Sequence, residues 1–226
     1  MTAASWLELC LDVHDPGKFD AMASFWSTAA GLRREPWPGA GDEPDDLVGG
    51  AGCGISLCPV PEPRTVKHRV HLDVHVRAVD DLVAAGATVL QELPHWTVLA
   101  DPEGGELCAF VRAPDQDLPD YRVHEVVVDA VDPERITRWW ADRFDVGVQN
   151  DGEPWWWVQD VPGMPFDSLV FQPVPEPKTV KNRVHWDLEG DVDDFLAAGA
   201  TRLWDQPRWT VLADPEGNEF CVFAPR

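Results

Sequence analysis

Two histidines close the same thirteen-residue sentence in this chain: PVPEPRTVKHRVH ends at His71 and PVPEPKTVKNRVH ends at His185, 114 positions later. Each opens a run in which apolar and polar residues alternate. In RVHLDVHV, Val70, Leu72, Val74 and Val76 fall on one side of an extended chain, and Arg69, His71, Asp73 and His75 on the other. SWLELCLDV behaves alike, with Leu7, Leu9, Leu11 and Val13 against Glu8, Cys10 and Asp12. VHEVVVDA carries Glu125 at the place matching Glu8. A histidine facing a carboxylate can take part in proton transfer, or the two can satisfy each other as a hydrogen-bonded pair in a core; both readings are open.

The elements that must position these residues are also written twice. WTVLADPEGGELCAF (96–110) returns as WTVLADPEGNEFCVF (209–223), and DPGKFDAMASFWSTAAGL from Asp15 corresponds to DPERITRWWADRF from Asp132. The chain is a tandem duplication. Phe19, Met22, Ala23, Phe25, Trp26 and Ala29 recur at helical spacing after Asp15-Pro16, and Gly31 is placed to end that helix. The Gly/Pro/Asp-rich stretch 35–54, which contains Trp37, predicts turns and short edge strands. After GISLCPV and the repeated sentence come RVHLDVHV, a short helix at VDDLVAAGA, and strands TVLQE, WTVLA and ELCAFV around the type I turn DPEG. Each copy is therefore two βαβββ units, four in all. The predicted domains are 1–114 and 122–226, joined by the polar, proline-bearing linker 115–121.

Composition narrows the function classes. Forty acidic against 18 basic residues give a net charge of −22, a field that repels nucleic acid and anionic membranes. No run approaches the ~18 apolar residues of a membrane helix, and MTAASWLELCLDVHD lacks a basic segment followed by an apolar core, which predicts a cytoplasmic protein. Five cysteines, with no CxxC, argue against a disulfide scaffold or a zinc finger. There is no GxSxG elbow, no GxxxxGK[ST] phosphate loop, and no GxGxxG after a strand. Lys67, Arg69, Lys181 and Arg183 are expected to pair with the surplus carboxylates. The 12 tryptophans include the triplet Trp155-Trp156-Trp157; consecutive strand residues cannot all point inward, so at least one indole must face a cup or a partner.

The strand leading to an Asp-Pro helix start with FW or WW inside it, the TVKxRVHxD segment and the closing ADPEGNEFCVF resemble the vicinal oxygen chelate superfamily, which includes glyoxalases, bleomycin-resistance proteins and extradiol dioxygenases. They are most similar to its glyoxalase-like domain proteins of actinobacterial type. The resemblance spans the chain and implies an α+β fold: four βαβββ modules paired into two domains with concave mixed sheets, helices outside. It also implies four metal-ligand places per cup, at Glu8, Ser56, His71 and Cys108 in the first copy and Glu125, Val170, His185 and Cys221 in the second. Ser56 and Val170 are poor ligands, and Cys108 and Cys221 stand where the family has glutamate. Glu8/His71/Cys108 and Glu125/His185/Cys221 could hold one divalent Zn, Ni, Mn or Fe ion per domain, or none, the cysteines being then small packed side chains.

From this follow the expected roles. Glu8, His71, Glu125 and His185 are the candidate catalytic groups, and Asp73, Trp96, Trp156, Asp187 and Trp209 the candidate ligand contacts. The first expectation is a small-molecule binder for an apolar or aromatic metabolite or antibiotic, without tightly held metal. The alternative is a divalent-metal-dependent lyase, isomerase or dioxygenase. The chain is expected as a pseudo-dimeric monomer or a homodimer, its second domain being the weaker site because Val170 stands where the first has Ser56.

Overall fold

The computed structural model describes residues 3–35 and 45–225; Trp37, within 36–44, lies outside the described residues. The four expected modules are present. The first runs β1 (Ser5–Val13), α1 (Phe19–Ala30), β2 (Arg33–Glu35), β3 (Asp45–Val48) and β4 (Gly54–Pro59); the second β5 (Val70–Val76), α2 (Val79–Ala84), β6 (Thr88–Glu92), β7 (Thr97–Ala100) and β8 (Glu106–Val111). The third runs β9 (Val123–Ala130), α3 (Pro133–Phe144), β10 (Val148–Gln149), β11 (Trp156–Val158) and β12 (Ser168–Pro173). The fourth runs β13 (Val184–Glu189), α4 (Val192–Ala197), β14 (Thr201–Asp205), β15 (Trp209–Ala213) and β16 (Glu219–Phe223).

Two eight-stranded mixed sheets result, and their membership differs from the order of the repeats. The first sheet is β14-β15-β16-β13-β1-β4-β3-β2, the second β10-β11-β12-β9-β5-β8-β7-β6. Module one thus shares a sheet with module four, and module two with module three. The joints are antiparallel pairs of module-leading strands, β1 with β13 and β5 with β9. The repeated sentence therefore carries the chain from one sheet to the other, rather than between halves of one sheet.

The sentence is held by the charges it contains. Lys67 Nζ meets Asp129 Oδ2 at 3.1 Å, Arg69 Nη2 donates to the Asp129 carbonyl (2.9 Å), and Arg69 Nη1 donates to the Glu176 carbonyl (2.8 Å). In the other crossover Lys181 pairs with the buried Asp12, and Lys178 with Glu219 at 2.6 Å. Lys67 and Lys181 pair with carboxylates as expected and Arg183 lies 3.9 Å from Asp12, whereas Arg69 is held by backbone carbonyls; these contacts join different modules.

The two modules of one copy meet behind the sheets instead. Trp26 and Trp140 donate their indole N–H to Asp101 and Asp214 at 3.3 and 3.2 Å. Those aspartates also accept from the backbone of their own DPEG turns, Asp101 from Glu103 and Gly105, Asp214 from Glu216 and Asn218. The turn glutamates reach back to the helix entrances: Glu103 accepts from the His14 and Asp15 amides, Glu216 from those of Val131 and Asp132. Asp132 caps α3 with Pro133 in its first turn, as expected. Asp15-Pro16 does not start α1: the chain makes one turn, Lys18 N–H to the Asp15 carbonyl, before the helix opens at Phe19. Gly31 ends α1 at φ 70°, where a Cβ would also strike the Asp120 carbonyl. Among the described residues no helix is long and apolar enough to cross a membrane.

Because each sheet draws on both copies, residues 1–121 alone leave β1 and β5 without their antiparallel partners β13 and β9. That fragment is expected to be unfolded, or to dimerise by exchanging modules. Light scattering after size exclusion checks it, and a folded, monodisperse monomer would contradict the shared-sheet architecture.

Candidate functional site

Alternation along each strand turns one face to the core and the other to a cup. On β5, Val70, Leu72 and Val74 are buried against the helices while His71 and Asp73 look into the second sheet's cup; on β9, Val126 and Val128 pack inward and Glu125 and Val127 face the same cup. The cup encloses a cavity of about 580 Å³. Trp96, Phe110, Trp155 and Trp157 line it, with Val127 and Val170 among the strands beneath. Trp96 stacks on Phe110, centroids 5.9 Å apart and planes at 24°.

Across this cup Asp73 is the register partner of both Glu125 and Cys108. His71 Nε2 lies 3.2 Å from Asp73 Oδ1, and one donor atom from each of His71, Asp73 and Cys108 lies within 4.8 Å of the others. Ser168 Oγ donates to Glu125 Oε1 at 2.7 Å. Burial raises Glu125 despite that bond, and the Asp73 charge opposite adds to it. Burial, then the Asp73 carboxylate, pushes the Cys108 thiol well up, so it is a protonated, packed side chain.

The first sheet's cup gathers a different set. Burial, then Asp187 and Asp46, pushes Glu8 up to about 7. Ser56 Oγ lies 3.3 Å from Glu8 Oε1 and 2.9 Å from Asp46 Oδ1, one hydroxyl between two acids. Gly54 makes room for Glu8, since a Cβ there would sit 2.7 Å from its carboxylate. Cys10 Sγ donates to Asp187 Oδ1 at 3.3 Å, and Cys10, His185 and Asp187 converge within 4.8 Å. Burial pushes His185 down to about 4, and its Nδ1 has no hydrogen-bond partner among the described residues. Burial, then Asp187, raises Cys221 far above a free thiol.

The expected sets Glu8/His71/Cys108 and Glu125/His185/Cys221 are therefore not brought together. Sheet exchange puts Glu8 with His185 and Cys221, and Glu125 with His71 and Cys108. Each sheet draws on both copies, so the two cups are not the two copies, and the cavity lies in the cup that contains Val170. Trp96 and Asp73 line the cavity as expected. Trp156 does not: it turns to the opposite face, where the Arg138 guanidinium of α3 lies 5.5 Å from its ring, and its neighbours Trp155 and Trp157 face the cavity. Trp209 stacks on Phe223 at 5.3 Å, the first sheet's counterpart of Trp96 on Phe110, and Asp187 is buried beneath it in that cup's polar cluster. Sequence reasoning missed Cys10 as a partner of Asp187, which needs the β1–β13 pairing, and His124 as a neighbour of His75 and Glu125, which needs the register shift where β5 meets β9.

Paired βαβββ modules closing two concave sheets define the vicinal oxygen chelate architecture. A profile of the glyoxalase-like domain family matches residues 8–110 and 125–223, and the chain belongs to that family. It superposes on glyoxalase I from Zea mays with a TM-score of 0.68 at 13% identity, covering 98% of this chain and 92% of that one. A putative dioxygenase from Bacillus subtilis superposes with a TM-score of 0.60 at 12% identity, over 97% and 84% of the two chains. A search of curated proteins gave no match.

The depressed His185 carries a testable sign. Its folded pKa lies below the unfolded value of about 6.5, so the stability it contributes is present above pH 6.5 and is lost as pH falls toward 4. Between pH 7 and pH 5 the His185 contribution falls by about 2 kcal/mol. Urea unfolding at both pH values should show that loss in the native protein and its absence in His185→Gln; equal losses would place the proton elsewhere.

Proposed function

We propose that the protein binds a small, largely apolar or aromatic metabolite or antibiotic in the second sheet's cup, held by aromatic walls without a tightly bound metal. The observation that supports this most is the cavity of about 580 Å³ walled by Trp96, Phe110, Trp155 and Trp157, within the ~300–1,000 Å³ range of small-molecule sites. Val170 occupies the fourth metal-ligand place with an apolar surface. Asp73 and Glu125 place acceptors on the floor, so the ligand is neutral or cationic and offers a hydrogen-bond donor at one end.

One observation favours a second reading as an enzyme of the superfamily. Asp73 Oδ1 is buried and makes no hydrogen bond among the described residues, although His71 and Cys108 converge on it. These three would hold a divalent ion that, when bound, would supply Lewis-acid polarisation of vicinal oxygens. The raised Glu125, facing Asp73, would then hold or accept the substrate proton.

Titration of tryptophan fluorescence against a panel of aromatic metabolites and antibiotics tests the first reading. Trp157→Ala is expected to weaken the bound compound about tenfold to 100-fold, and Trp209→Ala to leave it unchanged. A panel that never quenches a folded protein overturns the reading, and binding lost on chelation transfers the site to the second.

A further inference from the structure

Beside the cavity, but outside the four family places, a second cluster forms at the lip of the same sheet. His75 ends the polar face of β5, and it is 8% exposed with Nδ1 lacking any hydrogen-bond partner among the described residues. The His124 ring, from β9, stacks on it with centroids 4.3 Å apart and planes at 26°. Asp167, just before β12, is fixed by its backbone N–H donating to the His124 carbonyl at 3.0 Å. Its Oδ2 stands 3.0 Å from His124 Nδ1, yet that nitrogen has no aligned hydrogen bond among the described residues. Donors about 2.1 Å from a shared ion and at right angles to one another also lie about 3 Å apart, so the spacing fits two ligands of one metal, which unlike a hydrogen bond does not need the proton aligned on the oxygen. One donor atom from each residue lies within 4.8 Å of the other two.

We propose that His75, His124 and Asp167 form a binding site for a divalent first-row transition ion. Two imidazoles and one carboxylate are a borderline donor set that suits Zn²⁺, Co²⁺ or Fe²⁺ and leaves positions open to water on the side of the exposed Asp167. The site is separate from the His71/Asp73/Cys108 group and does not depend on it. It borders the cavity through Phe110, whose ring centroid is 5.7 Å from that of His124, and through Glu125, whose Oε1 is 3.9 Å from His124 Nε2. An ion there ties β5, β9 and the entrance to β12 together at the cavity edge. The first sheet has Leu7 and Glu189 at the places of His124 and His75, so the histidine pair belongs to one cup only.

The test uses the full-length, metal-stripped protein and Co²⁺ or Zn²⁺ alone. His71→Ala, which disables the cup group, is expected to retain one equivalent after desalting. Adding His124→Gln or Asp167→Asn to it should weaken retention at least about tenfold. Asp167 is exposed, so Asp167→Asn keeps the test valid if a histidine variant misfolds. Bound Co²⁺ should show ligand-field absorption without a thiolate charge-transfer band, since the donors are nitrogen and oxygen. Retention that is unchanged in Asp167→Asn and His124→Gln, or lost entirely in His71→Ala, overturns the site, as does a charge-transfer band that places the ion on Cys108.

Discussion

Both cups exist because the leading strands of modules from different copies pair antiparallel, β1 with β13 and β5 with β9. Each cup wall is a module's polar strand face, and a single module offers only half a wall. The pairing brings Asp187 opposite Glu8 and Asp73 opposite Glu125, so the acid pairs across the joints span the two copies. Burial raises both Glu8 and Glu125, and the carboxylate facing each across the joint adds to it.

What enforces the exchange is the crossover. Its prolines keep it extended, and its cations are met by carboxylates on leading strands: Lys181 by Asp12 on β1, Lys67 by Asp129 on β9. Burial raises Asp12, and Lys181 opposes that; removing the lysine would leave a buried acid without its partner, the costly case for ion pairs of this type. The ties behind the sheets, Trp26 to Asp101 and Trp140 to Asp214, hold the two modules of a copy together while their sheets belong to different halves. A copy is thus a unit of ancestry and of helix packing, and a cup is a unit of chemistry.

Much of this was legible in the sequence because it is local. Period-two alternation separated Val70, Leu72 and Val74 from His71 and Asp73, and the repeat fixed module boundaries to within a few residues. Strand pairing is not local: alternation states which face a residue occupies and says nothing about which strand lies beside it. Since four modules carry the same pattern, the sequence offers no way to choose β13 over β5 as the neighbour of β1, and the ligand sets were drawn within copies for that reason. The tryptophan triplet failed on parity alone. One of three consecutive residues had to differ from its neighbours, and only the register of β11 on β12, Trp157 opposite Val170, settles which.

The two cups have diverged through few substitutions. Where the first has Cys10, Ser56 and Cys58, the second has Val127, Val170 and Gln172. In the first, Cys10 donates to Asp187 and Ser56 to the acids beside it, while burial, against the pull of Asp187, lowers His185. In the second, valines remove those partners. Asp73 keeps an oxygen without a hydrogen bond among the described residues, and the space above the strands is walled by indoles rather than filled. An unsatisfied buried acceptor costs stability, of order 1–3 kcal/mol, and is retained more readily where a bound molecule satisfies it. The cups thus differ in what faces them: in the first Cys10 donates to Asp187 and Ser56 stands between Glu8 and Asp46, and in the second Asp73 and Glu125 face a cavity walled by indoles.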